Sequence, residues 1–440
     1  MAISTEDRRP EALKRAWENV ENRWDGDPRS PVLESWRAER LEQVRALVAR
    51  QSVFYSRRAE QLGRQWTGEF TTKADLVEAG LDILAGSVAE AEVYYETTGT
   101  TGPPTPCPRG ELEVWASNRT LIRAWTSMLA QDGRPSVVAI MGPSELYAFG
   151  DVFGAVARTV GVPQVKLWPD SPRVGLSKAL RILRQLKVTH VVCAPSMVLE
   201  LAEVASAAGL SPQDFAIKRF LVLGELSTPE FRSSAESFWP GARVSPAMYG
   251  SQEALCVASG WPDGSLRLNE LNYHVELVNP HDGAPVAVGQ VGELVVTSLI
   301  PGLRPMIRFR TGDLVALEPG PLDGYPGRTL TVLGRVADQV LTGDGRRVSA
   351  YDVERSALQD LQGCLGYQVL IAGSHQSPEA RLRLLVPDPA NRTPEVGKAL
   401  GDLLAMPLTV EFADSLNPRT KTGATASWKA ARLVDSRSSR

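Results

Sequence analysis

The sequence is poor in cysteine and histidine and has no long apolar run. Four cysteines, Cys107, Cys193, Cys256 and Cys364, lie far apart in 440 residues, with no CxxC pair and no histidine at ligand spacing. That argues against a disulfide framework or a Cys/His zinc site and reads as reduced thiols in a cytoplasmic protein. With only four histidines and no evident Ser-His-Asp or Cys-His arrangement, triad chemistry has no support. No segment approaches the ~20 apolar residues of a spanning helix, and the opening stretch "MAISTEDRRPEALKRAWENV" lacks the apolar core of a leader. A charge field of one sign is missing too: 48 basic and 51 acidic residues are interspersed, for a formal charge of −3. Nucleic acid and membranes are therefore not expected partners.

What is present is an ordinary globular composition, 43% apolar and 22% charged, in a chain long enough for two domains or more. Residues 11–24 and roughly 32–62 read as amphipathic helices, 110–131 as a helix, and Thr72 in "TTKADLVEAG" as a helix cap. "SVVAIMGPS" (136–144) reads as a buried strand ending in a turn. Further on, "GLSKALRILRQLK", "VTHVVCAP", "SMVLELAEVASAAG", "RFLVLGE" and "TPEFRSSAESFW" alternate helix and strand, which predicts parallel strands with helical crossovers. Ligands of such sheets sit at the carboxyl ends of the strands. From about 266 to 334 short strands with turns predict an antiparallel or barrel-like subdomain. A smaller section follows: helix 349–361, strands near 366–373 and 381–386, helix 394–405, strand 408–413 and a polar tail.

One loop stands out. "VYYETTGTTGPPTP" (93–106) holds five threonines and two glycines and contributes little to any core. Such a loop can present backbone N–H and hydroxyl donors to phosphate oxygens, because glycine lets the main chain approach closely. The Walker pattern is absent, since no lysine follows Gly102. Taken alone, the run is equally a flexible surface turn.

Five segments together carry a resemblance. "TTGTTGPPT" resembles the "SSGTTGKPT" phosphate loop of the acyl-adenylate-forming superfamily. "MYGSQE" (248–253) is similar to its "YGxSE" motif, and "RFRTGDL" (308–314) to "YRTGDL". "GRVADQV…GRRVSAYDVE" (334–354) is similar to "GRxDD…GxRVxPxxIE", and "SWKAARLVD" (427–435) to the terminal lysine motif "GKAxRVID". They occur in the family's order over about 340 residues. The form of "TTKADL", "PMIRFRTGDL" and the lysine motif resembles phenylacetate-CoA ligases in particular.

That resemblance implies roles. Thr97, Thr98, Gly99, Thr100, Thr101 and Gly102 would cradle the β- and γ-phosphates of ATP, and Glu253 would ligate Mg2+. Tyr249, with Gly250 and Ser251, would lie at the adenine, and Gly224 and Glu225 match a "GAE" segment beside it. Asp313 would accept from the ribose hydroxyls, and Arg335 would lie at the ribose end. Lys429 would bridge the carboxylate and α-phosphate oxygens; Lys421 in "PRTKTG" is its rival. Ala337 and Asp338 would form a hinge. Tyr147, Phe149, Gly150, Ala194, Gly224, Ala247, Met248 and Tyr249 would line an apolar and aromatic acid pocket. Each residue also has a plainer reading: core packing for Tyr147 and Phe149, a hairpin for "TGD", a solvated tail lysine for Lys429.

Three positions depart from the pattern. Pro103 stands where a lysine follows the phosphate loop, Glu96 where a small hydroxyl residue is common, and Ala337 where the hinge has aspartate. The expectation is a mixed α/β fold. A large N-terminal multi-layer domain (1–335) would carry the barrel-like subdomain, and a small mobile α+β domain (336–440) would follow. The expected reaction joins an aromatic carboxylic acid to ATP with Mg2+, then passes the acyl group to coenzyme A. The alternatives are a stand-alone enzyme loading the phosphopantetheine of a carrier protein and a non-catalytic nucleotide-binding relative. A homodimer is compatible with either.

Overall fold

A computed structural model of the chain describes residues 10–61, 69–97, 103–133, 136–319, 324–359, 361–416, 419–422 and 425–437, the stretches 419–422 and 425–430 by backbone only. The alternating middle of the sequence forms a five-stranded parallel sheet in the order Gln164–Lys166, Val138–Met141, His190–Cys193, Arg219–Val222, Arg243–Pro246. Its three central strands are buried along their whole length, as unbroken apolar runs require when both faces are covered. Helices Gly175–Gln185, Pro195–Ala207 and Pro229–Ser237 supply crossovers, in agreement with the sequence pattern. At the amino ends, fully buried Arg219 donates twice to Asp132 at 2.7 Å and once to Ser245 Oγ at 2.9 Å. That cluster fixes the strand starts.

A second sheet has seven strands, in the order Tyr273–Val278, Val291–Ser298, Phe309–Leu317, Thr329–Arg335, Leu266–Leu268, Leu255–Gly260, Met248–Ser251. Its first three strands form an antiparallel meander. The antiparallel character expected near 266–334 is therefore present, and it begins earlier, at Met248.

The last section has a four-stranded sheet in the order Leu408–Phe412, Pro378–Leu385, Gly366–Gly373, Leu433–Asp435, with helices Ala350–Leu358 and Lys398–Leu404. The expected polar tail is a correction: it forms strands Arg419–Thr422, Thr425–Ala430 and Leu433–Asp435, the last pairing in parallel with Val369–Ile371. The helix expected over 32–62 is another. It breaks into Pro31–Gln51 and Val53–Gln61 because buried Ser52 turns extended and donates its hydroxyl to Ile83 O at 3.0 Å. The Thr72 cap is present, closed reciprocally with Asp75.

By contact the chain divides into two units. One is Met1–Met128, Ser144–Val156 and Met248–Thr331; the other is Leu129–Pro143, Ala157–Ala247 and Val332–Arg440. The second unit thus joins the parallel sheet and the C-terminal section around one apolar core, which runs from Ala139 and Val222 through Phe231 to Val353, Val369 and Leu404. Among the described residues no helix is long and apolar enough to cross a membrane.

Candidate active site

The strands that flank the threonine loop form a hairpin. Val93–Glu96 pairs antiparallel with Pro106–Arg109, and Thr97 and Thr105 zip its open end, Thr105 N donating to Thr97 Oγ1 at 2.8 Å. Thr98, Gly99, Thr100, Thr101 and Gly102 lie outside the described residues. The unexpected Glu96 ends the first strand of this hairpin and is hydrogen-bonded to a neighbouring hydroxyl. Its carboxylate accepts from the Tyr94 hydroxyl at 2.6 Å, and that bond, with some burial, pushes the Tyr94 phenol up to about 12. We expect Glu96→Gln to leave the KM for ATP within about twofold and to lower the Tyr94 pKa toward its ordinary value of ~10. Steady-state kinetics and spectrophotometric titration check both.

Two predicted nucleotide residues meet. Tyr249, on Met248–Ser251, donates its hydroxyl to Asp313 Oδ2 at 2.7 Å. The "TGD" segment is not a hairpin but an interruption within the strand Phe309–Leu317: its register against Val291–Ser298 shifts between Glu293 and Val295, with Gly312 at φ +76°. The bulge re-aims Asp313, and Gly312 N donates to Glu293 Oε1 at 3.2 Å. Gly250 has no alternative residue, since a Cβ there would stand 1.8 Å from the Leu255 carbonyl oxygen. The tight turn that follows carries Ser251 and Glu253.

Glu253 is 6% exposed and faces cations. Lys73 Nζ lies 3.9 Å from its Oε1, and Arg304 Nη1 donates to its carbonyl at 3.0 Å. Beneath it a small cavity of mixed lining brings Arg109, Glu113, Ser117, Asn272 and Arg304 together with Glu253, closed by Ala116, Leu255 and Ile300. Glu113 links the two arginines, accepting from Arg109 Nη1 at 3.2 Å and from Arg304 N at 3.1 Å. Among the described residues no group of three or more His, Cys, Asp or Glu side chains could cage a metal. Glu253, a buried carboxylate that shares this cavity with Glu113, fits Mg2+, which is commonly held by one or two carboxylates with phosphate oxygens and water.

Sequence reasoning noticed the "TTKADL" segment but gave Lys73 no role, and it passed over Gln252, which stands where the resembled motif has serine. Gln252 Nε2 donates to Glu96 O and Leu146 O at 3.3 Å, and its Oε1 accepts from Ala148 N at 3.3 Å. One amide therefore joins the base of the threonine hairpin to the segment carrying Tyr147 and Phe149. Phe149 packs edge-on against Phe153 at 5.3 Å, and Phe153 stacks on Trp125. A Cβ on Gly150 would meet Ser144 Oγ at 2.0 Å, so this turn of the helix Ala148–Thr159 closes tightly on the loop before it.

In the other unit, register places Cys193 opposite Val222 and Val222 opposite Pro246. Ala194, Gly224 and Ala247 thus gather at the carboxyl ends of three adjacent strands. Gly224 takes a φ of +89°, which favours glycine. Glu225 is turned onto the start of the helix Pro195–Ala207, accepting from Ser196 N at 3.0 Å and Ser196 Oγ at 2.9 Å. Arg335 ends its strand, and Ala337 and Asp338 lie in the short turn Val336–Asp338. Lys421 and Lys429 lie on opposite strands of the Arg419–Thr422/Thr425–Ala430 pair. All four cysteines are buried and free, and burial pushes the Cys256 thiol up to about 11 and Cys364 up to about 12.

Residues 92–300 match the family model described as AMP-binding enzyme. The chain is 26% identical over 392 residues to a phenylacetate-coenzyme A ligase of Thermus thermophilus, covering 83% of this chain and 84% of that ligase. It is 26% identical over 279 residues to the Escherichia coli phenylacetate-coenzyme A ligase, covering 61% and 60%. Among solved structures, 2-hydroxyisobutyryl-CoA ligase in the postadenylation state with R3-HIB-AMP superposes with a TM-score of 0.79 at 20% identity, covering 94% of this chain and 91% of that one. An amide bond synthetase, McbA from Marinactinospora thermotolerans, gives 0.52 at 20% identity, covering 75% and 66%.

Proposed function

We propose that this chain, which matches the AMP-binding enzyme model over residues 92–300 and is similar to phenylacetate-coenzyme A ligases, activates an aromatic carboxylic acid with Mg-ATP and passes the acyl group to coenzyme A. In the first step a carboxylate oxygen attacks the α-phosphorus, the bond to pyrophosphate breaks, and an acyl-adenylate forms. In the second the thiol sulfur attacks the acyl carbon, its proton is lost to solvent, and AMP leaves. Neither step needs a general base on the acid, which with a pKa near ~4 is already ionised at neutral pH. The difficulty is the meeting of two anions, so cations and fixed donors do the work.

Tyr249 and Asp313 would hold the adenosine, the hairpin ending in Thr97 and Thr105 the distal phosphates, and Lys429 the reacting oxygens. Glu253 would hold Mg2+, whose charge supplies neutralisation at the phosphate oxygens. The turn Val336–Asp338 would serve as the hinge of the C-terminal section. The observation that carries the reading is the Tyr249–Asp313 hydrogen bond, which joins two motif residues 64 positions apart four residues before Glu253. The aromatic preference is supported by the relatives, which are phenylacetate-coenzyme A ligases.

The test is exchange of labelled pyrophosphate into ATP across a panel of carboxylic acids. Exchange with aryl or arylacetic acids, and poor exchange with short aliphatic ones, is expected. No exchange with any acid would remove the reaction. Offering coenzyme A and a carrier-protein pantetheine in parallel assigns the acceptor.

Lys73 offers a second check. The phosphate loop lacks its lysine at Pro103, and Lys73 is the cation nearest the Glu253 carboxylate among the described ion pairs. Lys73→Ala is expected to raise the KM for ATP about tenfold, the weight of one partly exposed charged hydrogen bond, with kcat little changed.

A further inference from the structure

Three residues beyond Lys429 the chain is firmly anchored. Gln368 Nε2 donates to Ala431 O at 3.1 Å and Val369 N to Arg432 O at 2.8 Å, after which Leu433–Asp435 runs beside Val369–Ile371. At no more than ~3.6 Å per residue, the Cα of Lys429 lies within about 11 Å of that of Arg432. The position of this anchor limits where the lysine can reach.

The Arg432 side chain extends out of the C-terminal section. It is 8% exposed, donates Nη2 to Leu226 O, and lies over the Phe231 ring at 4.7 Å. Its Nη1 meets Glu354 at 3.0 Å as an ion pair without hydrogen-bond alignment, and Nη2 stands 3.7 Å from Glu225. Both carboxylates are fixed in turn. Glu225 is held by Ser196, while Glu354 accepts from Thr228 N at 2.7 Å and from the Tyr367 hydroxyl. Arg355–Glu230, at 3.1 Å, adds an exposed pair between the same two stretches. A planar guanidinium can serve a carbonyl, two carboxylates and an aromatic face at once, whereas a lysine ammonium is a single point charge.

We infer that Arg432 is a positioning residue for Lys429, tying the C-terminal section to the loop that carries Gly224 and Glu225. Lys429 is presented for acyl-adenylate formation only when that loop is in place, and Glu225 contributes by orienting Arg432. The inference rests on the reaction proposed above.

The test uses the full chain with Arg432→Met, Arg432→Lys, Arg355→Glu and the double reversal Arg355→Glu/Glu230→Arg. Three quantities are read: pyrophosphate exchange, thioester formation from supplied acyl-adenylate, and trypsin cleavage after Arg335. Arg432→Met is expected to lower kcat for exchange roughly 10- to 100-fold, as misplacement of a reacting group does, with the KM for ATP little changed. Thioester formation from supplied acyl-adenylate stays within about threefold, and Arg432→Lys recovers part of the loss. Arg355→Glu lowers exchange roughly two- to fivefold, less at high salt, and the double reversal restores it. Equal loss in both half-reactions, or none in the first, overturns the inference. Should Arg432→Met not fold, the Arg355 and Glu230 variants decide, and failure of the double reversal to restore exchange counts against the tie. Should the unaltered protein exchange with no acid, the reaction falls while cleavage still tests the tie: faster cutting in Arg355→Glu, reversed in the double variant, upholds it, and unchanged cutting overturns it.

Discussion

Replacing Lys429 by alanine is expected to slow acyl-adenylate formation by about three orders of magnitude or more, with little change in the KM for ATP. A single neutral donor aimed at developing charge is worth ~2.7–4 kcal/mol, and a lysine also brings a full positive charge to the point where two anions approach. The effect belongs to kcat because the reacting oxygens crowd together only in the transition state. Lys421 is the internal control. It lies on the strand opposite Lys429, in register with Ala426. Lys421→Ala should leave exchange within about threefold. Thioester formation from supplied acyl-adenylate should survive Lys429→Ala, since no phosphorus is attacked in that step. If the alanine variant exchanges pyrophosphate at the unaltered rate, or if Lys421→Ala is the variant that stops, the terminal motif has been assigned to the wrong lysine.

What was legible in the sequence follows the range of the forces involved. The parallel sheet could be read because apolar runs and helical periodicity are local signals, and the capped helix at Thr72 because both partners of the cap lie within four residues. The break at Ser52 could not, since the carbonyl that captures its hydroxyl is 31 residues away. The tail strands were missed for a similar reason: a polar stretch shows no core face of its own, and Leu433–Asp435 is ordered by Val369–Ile371. In the candidate site, the family resemblance singled out Tyr249, Asp313 and Glu253, but not that the first two touch. The "TGD" bulge, Gln252 bridging two backbone segments, and Arg432 reaching Leu226 across 206 positions are long-range contacts. Their residue types are unremarkable in isolation, and only the fold gives them partners.

Glu253→Gln tests the metal end of the site, and its value lies in separating a ligand role from a structural one. Glutamine has nearly the shape of glutamate, so the packing and the Arg304 bond to the residue 253 carbonyl are retained. What is lost is one negative charge among Lys73, Arg109 and Arg304, with Glu113 left as the carboxylate of the cavity. A structural glutamate would show that loss as instability alone. A magnesium ligand would show it in the nucleotide: kcat/KM for Mg-ATP should fall about 100- to 1,000-fold, the scale of several kcal/mol of lost charge stabilisation. Metal-free ATP should bind the variant at least as well as it binds the unaltered protein, because the surroundings have become more positive toward a polyanion. Magnesium titration at fixed ATP, followed by exchange, and calorimetric binding of ATP in chelator measure the two sides. A variant that loses Mg-ATP and metal-free ATP in equal proportion would make Glu253 a support of the pocket and leave the metal to be held by nucleotide and water alone.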